Sequence, residues 1–393
     1  MSEGRGLISL TADAVVIGAG IVGLATAYYL ARRGGFSVVV LEKSYVGSGS
    51  STRNAGRYRV HFGNRENTEF AIRAIRKLES LSGELGWNGG VFERAGYLWL
   101  ARRKEVLEHY GKLNEQLWKP MGVPVQILTV DELRDRFPYI NTQGIVGAIF
   151  GPQDGAFHHD YLVMGYYERS LDLGVKVFEY SEVKNIGIEN GRVTSVSSGD
   201  VFVRTKNVIF TAGAWTGGEV MKRTLNIDIP IKPARREIGI TEPVRPLINT
   251  YVIDTETNLY VGQTMRGEIL GSVELEGGEG FLPYGNTFTW LTTWARETVK
   301  LIPSLRNIRV MRIWSGYYEM TPPDHSHVMG RSSTWPEGVY VLSGFSGHGF
   351  MLGPYAAELL ARYIADGVVD PIMKPFLPDR FATGNLIKEL LVI

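Results

Sequence analysis

Gly18, Gly20 and Gly23 stand in the spacing G-x-G-x-x-G, and Glu42 follows Gly23 by 19 positions. Residue types in this order suit the grip of a dinucleotide. Gly18 permits a tight turn, Gly20 lets the backbone approach a pyrophosphate, and Gly23 lets a helix pack closely on a strand. The phosphates then meet unpaired N–H groups at a helix N-terminus. A carboxylate at Glu42 accepts hydrogen bonds from both ribose hydroxyls and repels a 2′-phosphate. For the three glycines alone an ordinary turn is the alternative, and the motif does not separate one dinucleotide from another. A second glycine-rich segment, Gly344 to Pro354, reads GFSGHGFMLGP and lies over 300 residues away.

The elements around the first motif are those it needs. Ala14 to Ile17 is a short apolar strand, Leu24, Ala25, Ala27, Tyr28 and Leu30 recur at helical spacing, and Val38 to Leu41 is a second strand ending at Glu42. Pro354 suits the first turn of another helix, with Ala357, Leu360, Ala361 and Ile364 facing inward. A long helix is expected from about Glu66 to Leu85. Strands are expected at Val175 to Phe178, at Val183 to Ile188 and, after an Asn190-Gly191 turn, at Arg192 to Val196. Asn207 to Phe210 is a strand running into Thr211-Ala212-Gly213-Ala214-Trp215, a small-residue turn beside the cofactor or simple packing. Residues 87–150 and 228–320 differ in character, with aromatic and alternating strands such as Gly96 to Leu100 and Asn258 to Gly262. They read as a second domain, either walling a pocket for a small organic substrate or forming a plain aromatic core.

A chain of 393 residues suits roughly two or three domain-sized units. Forty-two Lys and Arg against 41 Asp and Glu leave a net charge of +1, which gives no extended field for nucleic acid or an anionic membrane. The absence of cysteine excludes disulfides, thiolate metal sites, a cysteine nucleophile and a thioether link to a cofactor. No signal pattern opens the chain and no apolar run approaches ~18 residues, so a soluble, cytoplasmic protein is expected, peripheral to a membrane only through a partner that accepts electrons. The apolar tail Leu386 to Ile393 is expected to pack on its own domain or a partner subunit. His158-His159-Asp160 and His325-Ser326-His327 lack the spacing and the third ligand of a zinc site, and no metal is expected.

With these motifs in order along nearly its whole length, the chain resembles the glycine oxidase/D-amino-acid oxidase superfamily of FAD enzymes. It looks most like the branch with the sarcosine oxidase β-type subunits and dye-linked L-proline dehydrogenases. The resemblance is carried by the dinucleotide motif, Gly49-Ser50-Ser51-Thr52, Arg59-Val60-His61-Phe62-Gly63, Thr211 to Trp215, Met320-Thr321-Pro322-Pro323-Asp324, and Gly344 to Met351. It implies an α/β fold, α+β overall. A Rossmann-type FAD-binding domain (1–86, 145–227 and 321–393) would carry an inserted, mostly antiparallel substrate-binding domain (87–144 and 228–320). The cofactor-binding residues implied are Gly18, Gly20, Gly23, Glu42, Lys43, Ser50, Ser51, Thr52, Val183, Ala212, Gly213, Trp215, Gly344, Gly347, His348, Gly349, Phe350 and Met351.

On the substrate side the resemblance implies that Arg59 binds the substrate carboxylate, and a guanidinium can do so with two parallel charge-assisted bonds. With Arg53, Arg57 and Arg65 nearby, a solvated basic stretch is the alternative. Tyr251, Tyr260, Trp314, Tyr317 and Met351 are the expected pocket walls. No dedicated catalytic side chain is expected, since positioning against the flavin suffices. His348 is a candidate flavin donor, or a loop histidine that caps backbone. FAD is expected to be non-covalent, because Arg53 or Asn54 takes the place of the linking histidine of some relatives. Monomeric sarcosine oxidases place a lysine over the flavin to activate oxygen, and Ile269 aligns there; Met351 aligns with their second lysine. The function implied is FAD-dependent oxidation of a secondary amino acid, L-proline ahead of sarcosine or another N-alkyl amino acid. Electrons would pass to a dye, quinone or other redox acceptor rather than oxygen. A D-amino acid or 2-hydroxy acid substrate is the alternative, as is a flavin-carrying electron-transfer subunit. Assembly as a homo-oligomer or with partner subunits stays open.

Overall fold

The computed structural model describes residues 7–87 and 92–391; the end of the expected apolar tail, Val392 and Ile393, lies outside them. β1 (Ala14–Ile17) turns at the glycines into α1 (Ile21–Arg32) and returns as β2 (Val38–Leu41). The two strands pair in parallel, Ala14 opposite Val38 and Ile17 opposite Leu41. All eight residues are buried, as short apolar runs in a sheet covered on both faces must be. They centre a six-stranded sheet of order Lys176–Phe178, β2, β1, Val208–Phe210, Val339–Ser343 and Val328–Gly330, parallel except for the last pair.

Alternation decides what covers each face. Ala14, Val16, Val38 and Val40 point to a helical layer of α1, α2 (Arg65–Glu84), α3 (His159–Asp172) and α4 (Gly349–Asp366). Val15, Ile17, Val39 and Leu41 meet Val193, Val196, Val201 and Val203 of a four-stranded sheet. That sheet contains the expected hairpin, with Asn190 (φ 49°) and Gly191 (φ 74°) both left-handed at the turn, the conformation that favours this dipeptide.

The aromatic segments build an eight-stranded sheet, ordered Val310–Met320, Lys232–Pro243, Glu268–Val273, Leu259–Gln263, Tyr251–Asp254, Tyr97–Ala101, Gly147–Gly151 and Gln126–Leu128. Only Tyr251–Asp254 beside Tyr97–Ala101 is parallel. The expected class, α/β with a mostly antiparallel second sheet, is the one formed. Gly147–Gly151 pairs in this second sheet, although the expected cofactor segment begins at residue 145; an apolar run of five does not say which sheet it joins.

Helix α4 also differs from expectation. It begins at Gly349, five residues before Pro354, which sits inside it. The missing N–H of Pro354 costs one helical hydrogen bond, and burial of Phe350, Met351 and Leu352 in the core offsets that loss. Ala357, Leu360 and Ala361 are buried as expected. Through Leu391 the tail packs on its own chain: Glu389 N–H donates to the Asp324 carbonyl at 2.8 Å, and the Glu389 carboxylate accepts from Gly63 N–H at 2.9 Å.

Candidate active site

At the C-terminal ends of β1 and β2 lies a cavity of about 580 Å³. A Cβ on Gly18 (φ 105°) would stand 2.9 Å from the Thr211 carbonyl oxygen, and one on Gly23 only 1.9 Å from the Gly18 carbonyl oxygen. Both positions therefore exclude any side chain. Ile21 N–H at the start of α1 donates to Ser51 Oγ at 2.9 Å, and Glu42, buried at the end of β2, accepts from Ala19 N–H at 2.8 Å and Ser44 N–H at 2.9 Å. The Ser48 hydroxyl adds a longer bond to the same oxygen as Ser44, at 3.4 Å; a carboxylate offers about four lone-pair sites, so one is left, on Oε2, for a ribose hydroxyl. Gly18, Gly20, Glu42, Lys43, Ser50, Ser51, Val183, Ala212, Gly213, Trp215, Gly347, Gly349 and Phe350 all line this cavity. Lys43 Nζ stands 3.5 Å from the Trp215 ring centre. The residues present fit a dinucleotide: a glycine cradle, a helix N-terminus, and a carboxylate at ribose position.

A smaller cavity of about 170 Å³ adjoins it, and Ser50, Asn54, Tyr317, Tyr318, Gly347 and Phe350 line both. Arg59, Tyr260, Tyr317, His348 and Met351 line the smaller one. Arg59 is 5% exposed; its Nη2 lies 2.9 Å from His348 Nε2 and donates to the Leu391 carbonyl oxygen. Burial, reinforced by the Arg59 charge, holds the His348 pKa well below the usual histidine range. A neutral ring facing a guanidinium accepts at Nε2 and carries its proton on Nδ1. Nη2 belongs to both two-pronged faces of a guanidinium, so with these contacts in place neither face is open. The expected two-bond grip on a carboxylate requires His348 or the tail carbonyl to give way.

Five expected residues line neither cavity. Gly23 acts through close packing, Thr52 Oγ1 donates to the Gly47 carbonyl at 2.7 Å, and Gly344 (φ 73°) packs against Thr321. Tyr251 and Trp314 lie behind the pocket. The Arg57 guanidinium sits 3.9 Å over the Tyr251 ring, whose hydroxyl donates to Glu93 at 2.9 Å, and Trp314 Nε1 donates to the Arg53 carbonyl at 3.1 Å. The alignment of Ile269 over the flavin is corrected by the structure: Ile269 is buried in the core with Trp290 and Trp294, and its strand turns Ser272 and, just beyond its end, Glu274 toward the smaller cavity instead.

Sequence reasoning took Arg57 only as part of a basic stretch, and gave no site role to Arg236, Tyr97 and Tyr318 in the smaller cavity or to Glu319 in the larger. Glu319 accepts from the Ser343 hydroxyl and from Gly344 N–H at 3.1 Å; burial raises its pKa against those donors. A carboxylate directly after Trp314, Tyr317 and Tyr318 was the available signal for Glu319. The histidine clusters stand apart. His159 Nδ1 is 2.8 Å from Asp160, while His327 stacks on Phe345 and Phe376. Among the described residues no group of three His, Asp or Glu side chains is arranged for a metal ion.

Fold and cavities together define a dinucleotide-binding α/β protein with a second, joined pocket. The family model of FAD dependent oxidoreductases (DAO) matches residues 13–363, and the chain belongs to that family; its cofactor is FAD. The chain is similar to the sarcosine oxidase subunit beta of Rhodobacter capsulatus, 27% identical over 386 residues that cover 96% of this chain and 90% of that one. Among solved structures it is similar to L-proline dehydrogenase from P. horikoshii, with a TM-score of 0.88 and 30% identity over 96% of this chain and 100% of that one. Glycine oxidase from Geobacillus kaustophilus shares the fold, with a TM-score of 0.85 at 21% identity over 94% of this chain and 99% of that one. Among the described residues no helix is long and apolar enough to cross a membrane.

Proposed function

We propose that the chain oxidises a secondary amino acid, L-proline ahead of sarcosine or another N-alkyl amino acid, and passes the electrons to an acceptor other than oxygen. The observation that carries this reading is the junction of the two cavities, where the glycine-cradled cavity opens onto a small pocket containing Arg59. In this reading the six-stranded sheet and its helices form the cofactor domain and the eight-stranded sheet the substrate domain. Bound FAD supplies the acceptor for the hydride that leaves the substrate carbon.

The chain's own residues bind and orient. Arg59 takes the substrate carboxylate, while Tyr260, Phe350 and Met351 exclude water around the carbon next to the amine. As that C–H bond breaks, the nitrogen lone pair forms the C=N bond of an imine and the amine proton passes to solvent. Neutral His348 accepts from Arg59 at Nε2 and so fixes the guanidinium rather than acting as the base. The N-terminus of α4, at Gly349, adjoins the shared lining of both cavities, and its positive dipole end favours negative charge that develops there. Among the described residues no lysine lines the smaller cavity, which supports an acceptor other than oxygen.

The likeness to a sarcosine oxidase subunit favours one second reading, a flavin-carrying subunit that passes electrons within a larger complex. Both are tested by the visible spectrum of the isolated chain, recorded anaerobically with L-proline and then with dye or oxygen. Bleaching by proline and faster recovery with dye are expected. A flavin that no secondary amine bleaches in the isolated chain would sink the first reading and leave the second.

A further inference from the structure

The smaller cavity carries more positive charge than one carboxylate requires. Arg53, Arg57, Arg59 and Arg236 line it, and Glu274 is the one carboxylate among its described lining residues. Glu274 is paired with Arg236. Arg53 turns away, over the Tyr284 ring at 4.3 Å. Arg57 and Arg59 have no carboxylate within 4 Å among the described residues.

Arg57 is built as a fixed donor. It stacks on Tyr251 at 3.9 Å, its Nε donates to the Tyr260 hydroxyl, and its Nη1 donates to the Gly56 carbonyl at 3.2 Å. Its Nη2 is buried and has no hydrogen-bond partner among the described residues. A buried, unsatisfied charged donor costs free energy until an acceptor reaches it. Arg57 and Arg59 flank Tyr58, so on an extended chain their side chains leave from the same face with Cα atoms about 7 Å apart. Tyr58 between them stacks its ring on Phe157.

We propose that the pocket is built for an amino acid with a second carboxylate, a secondary amine flanked by two acids, with Arg59 taking the acid next to the reacting carbon and Arg57 the distal one. This inference rests on the proposed function for its reaction and its Arg59 grip, and puts an N-alkyl diacid ahead of L-proline and sarcosine, which carry one carboxylate each. Two like charges in one small cavity disfavour each other until anions enter, so a dianion is the complementary occupant. A monocarboxylate satisfies Arg59 and leaves Arg57 unpaired.

The test uses the FAD-loaded protein and two ethers that cannot form an imine: methoxyacetate, with one carboxylate, and diglycolate, with two. Binding is read from the change in flavin absorbance and from the melting temperature, and oxidation from kcat/KM for N-(carboxymethyl)glycine against sarcosine. Diglycolate is expected to bind more tightly than methoxyacetate by about 30-fold or more. Arg57→Gln should collapse that ratio toward one, and Arg57→Lys, which keeps the charge but loses the planar donor, should leave an intermediate ratio. Arg59→Gln should weaken both acids. A wild-type ratio at or below one, with methoxyacetate still bound through Arg59, would overturn the diacid inference alone. Binding of neither acid would overturn the carboxylate site and the inference together.

Discussion

Replacing Arg59 with Gln probes the substrate end of the site, and its magnitude follows from how the guanidinium is already engaged. Of five N–H donors, the two on Nη2 face His348 Nε2 and the Leu391 carbonyl. The Nε–H and the Nη1 pair have no partner among the described residues. A carboxylate that leaves both Nη2 contacts in place therefore takes one charge-assisted bond, worth about 1.5–3 kcal/mol. This converts to a loss of roughly 10- to 150-fold in kcat/KM. A two-bond grip at a buried site would cost about 2–5 kcal/mol and a correspondingly larger factor. Because the carboxylate is bound equally before and during hydride transfer, the loss should fall on KM while kcat changes little. The assay is steady-state dye reduction with the best secondary amine, beside a melting curve that controls for the lost tail contact. A KM within about two-fold of the unaltered chain's would refute the assignment. A loss beyond about a thousand-fold would refute the one-bond count.

Gly23→Ala should yield protein with little bound FAD, measured as the flavin-to-protein absorbance ratio, because its Cβ would meet the Gly18 carbonyl; Gly83→Ala, in open space on α2, should bind FAD normally. Asp154→Ala should cost about 3–5 kcal/mol in denaturant unfolding, since it strands buried His61 and the Val60 N–H. Asp154→Asn should cost less than half of that, as an amide meets both partners once His61 moves its proton. Burial holds His327 and His348 neutral, far below the usual histidine pKa. Below about pH 6.5 the unfolded chain binds protons that the folded chain refuses, so stability falls with pH in that range. His327→Phe keeps the stacking on Phe345 and Phe376 and should shrink the drop in melting temperature between about pH 7.5 and 5.5; an unchanged drop would count against the argument.

What the sequence made legible was local. The glycine turn, Glu42 at the end of β2 and the Asn190-Gly191 hairpin are each specified within a few residues by backbone conformation and strand alternation. The start of α4 was not legible, because Gly349 and Gly353 read as loop and Pro354 as the first turn, while the burial that overrides them comes from distant elements. Ile269 shows the other failure. In a strand the face alternates at every residue, so an alignment one position out exchanges pocket for core, and Ile269 lies in the core while Ser272 and Glu274 face the pocket. Tyr251 and Trp314 were legible as aromatic but not as standing behind arginines. The pairing of Arg59 with His348 and with the tail joins positions some 290 to 330 residues apart, which no local pattern encodes. Arg53, Arg57 and Arg59 were legible as one basic stretch, but that they line a cavity, with Arg236 brought beside them, is not encoded locally.

The structure of the FAD-loaded protein with methoxyacetate bound tests the central claim most directly. The account predicts the flavin ring at the junction lined by Gly347, Tyr317 and Phe350, and the carboxylate within hydrogen-bonding distance of Arg59 in the smaller cavity. A flavin ring away from that junction, or a carboxylate bound outside the smaller cavity, would contradict it.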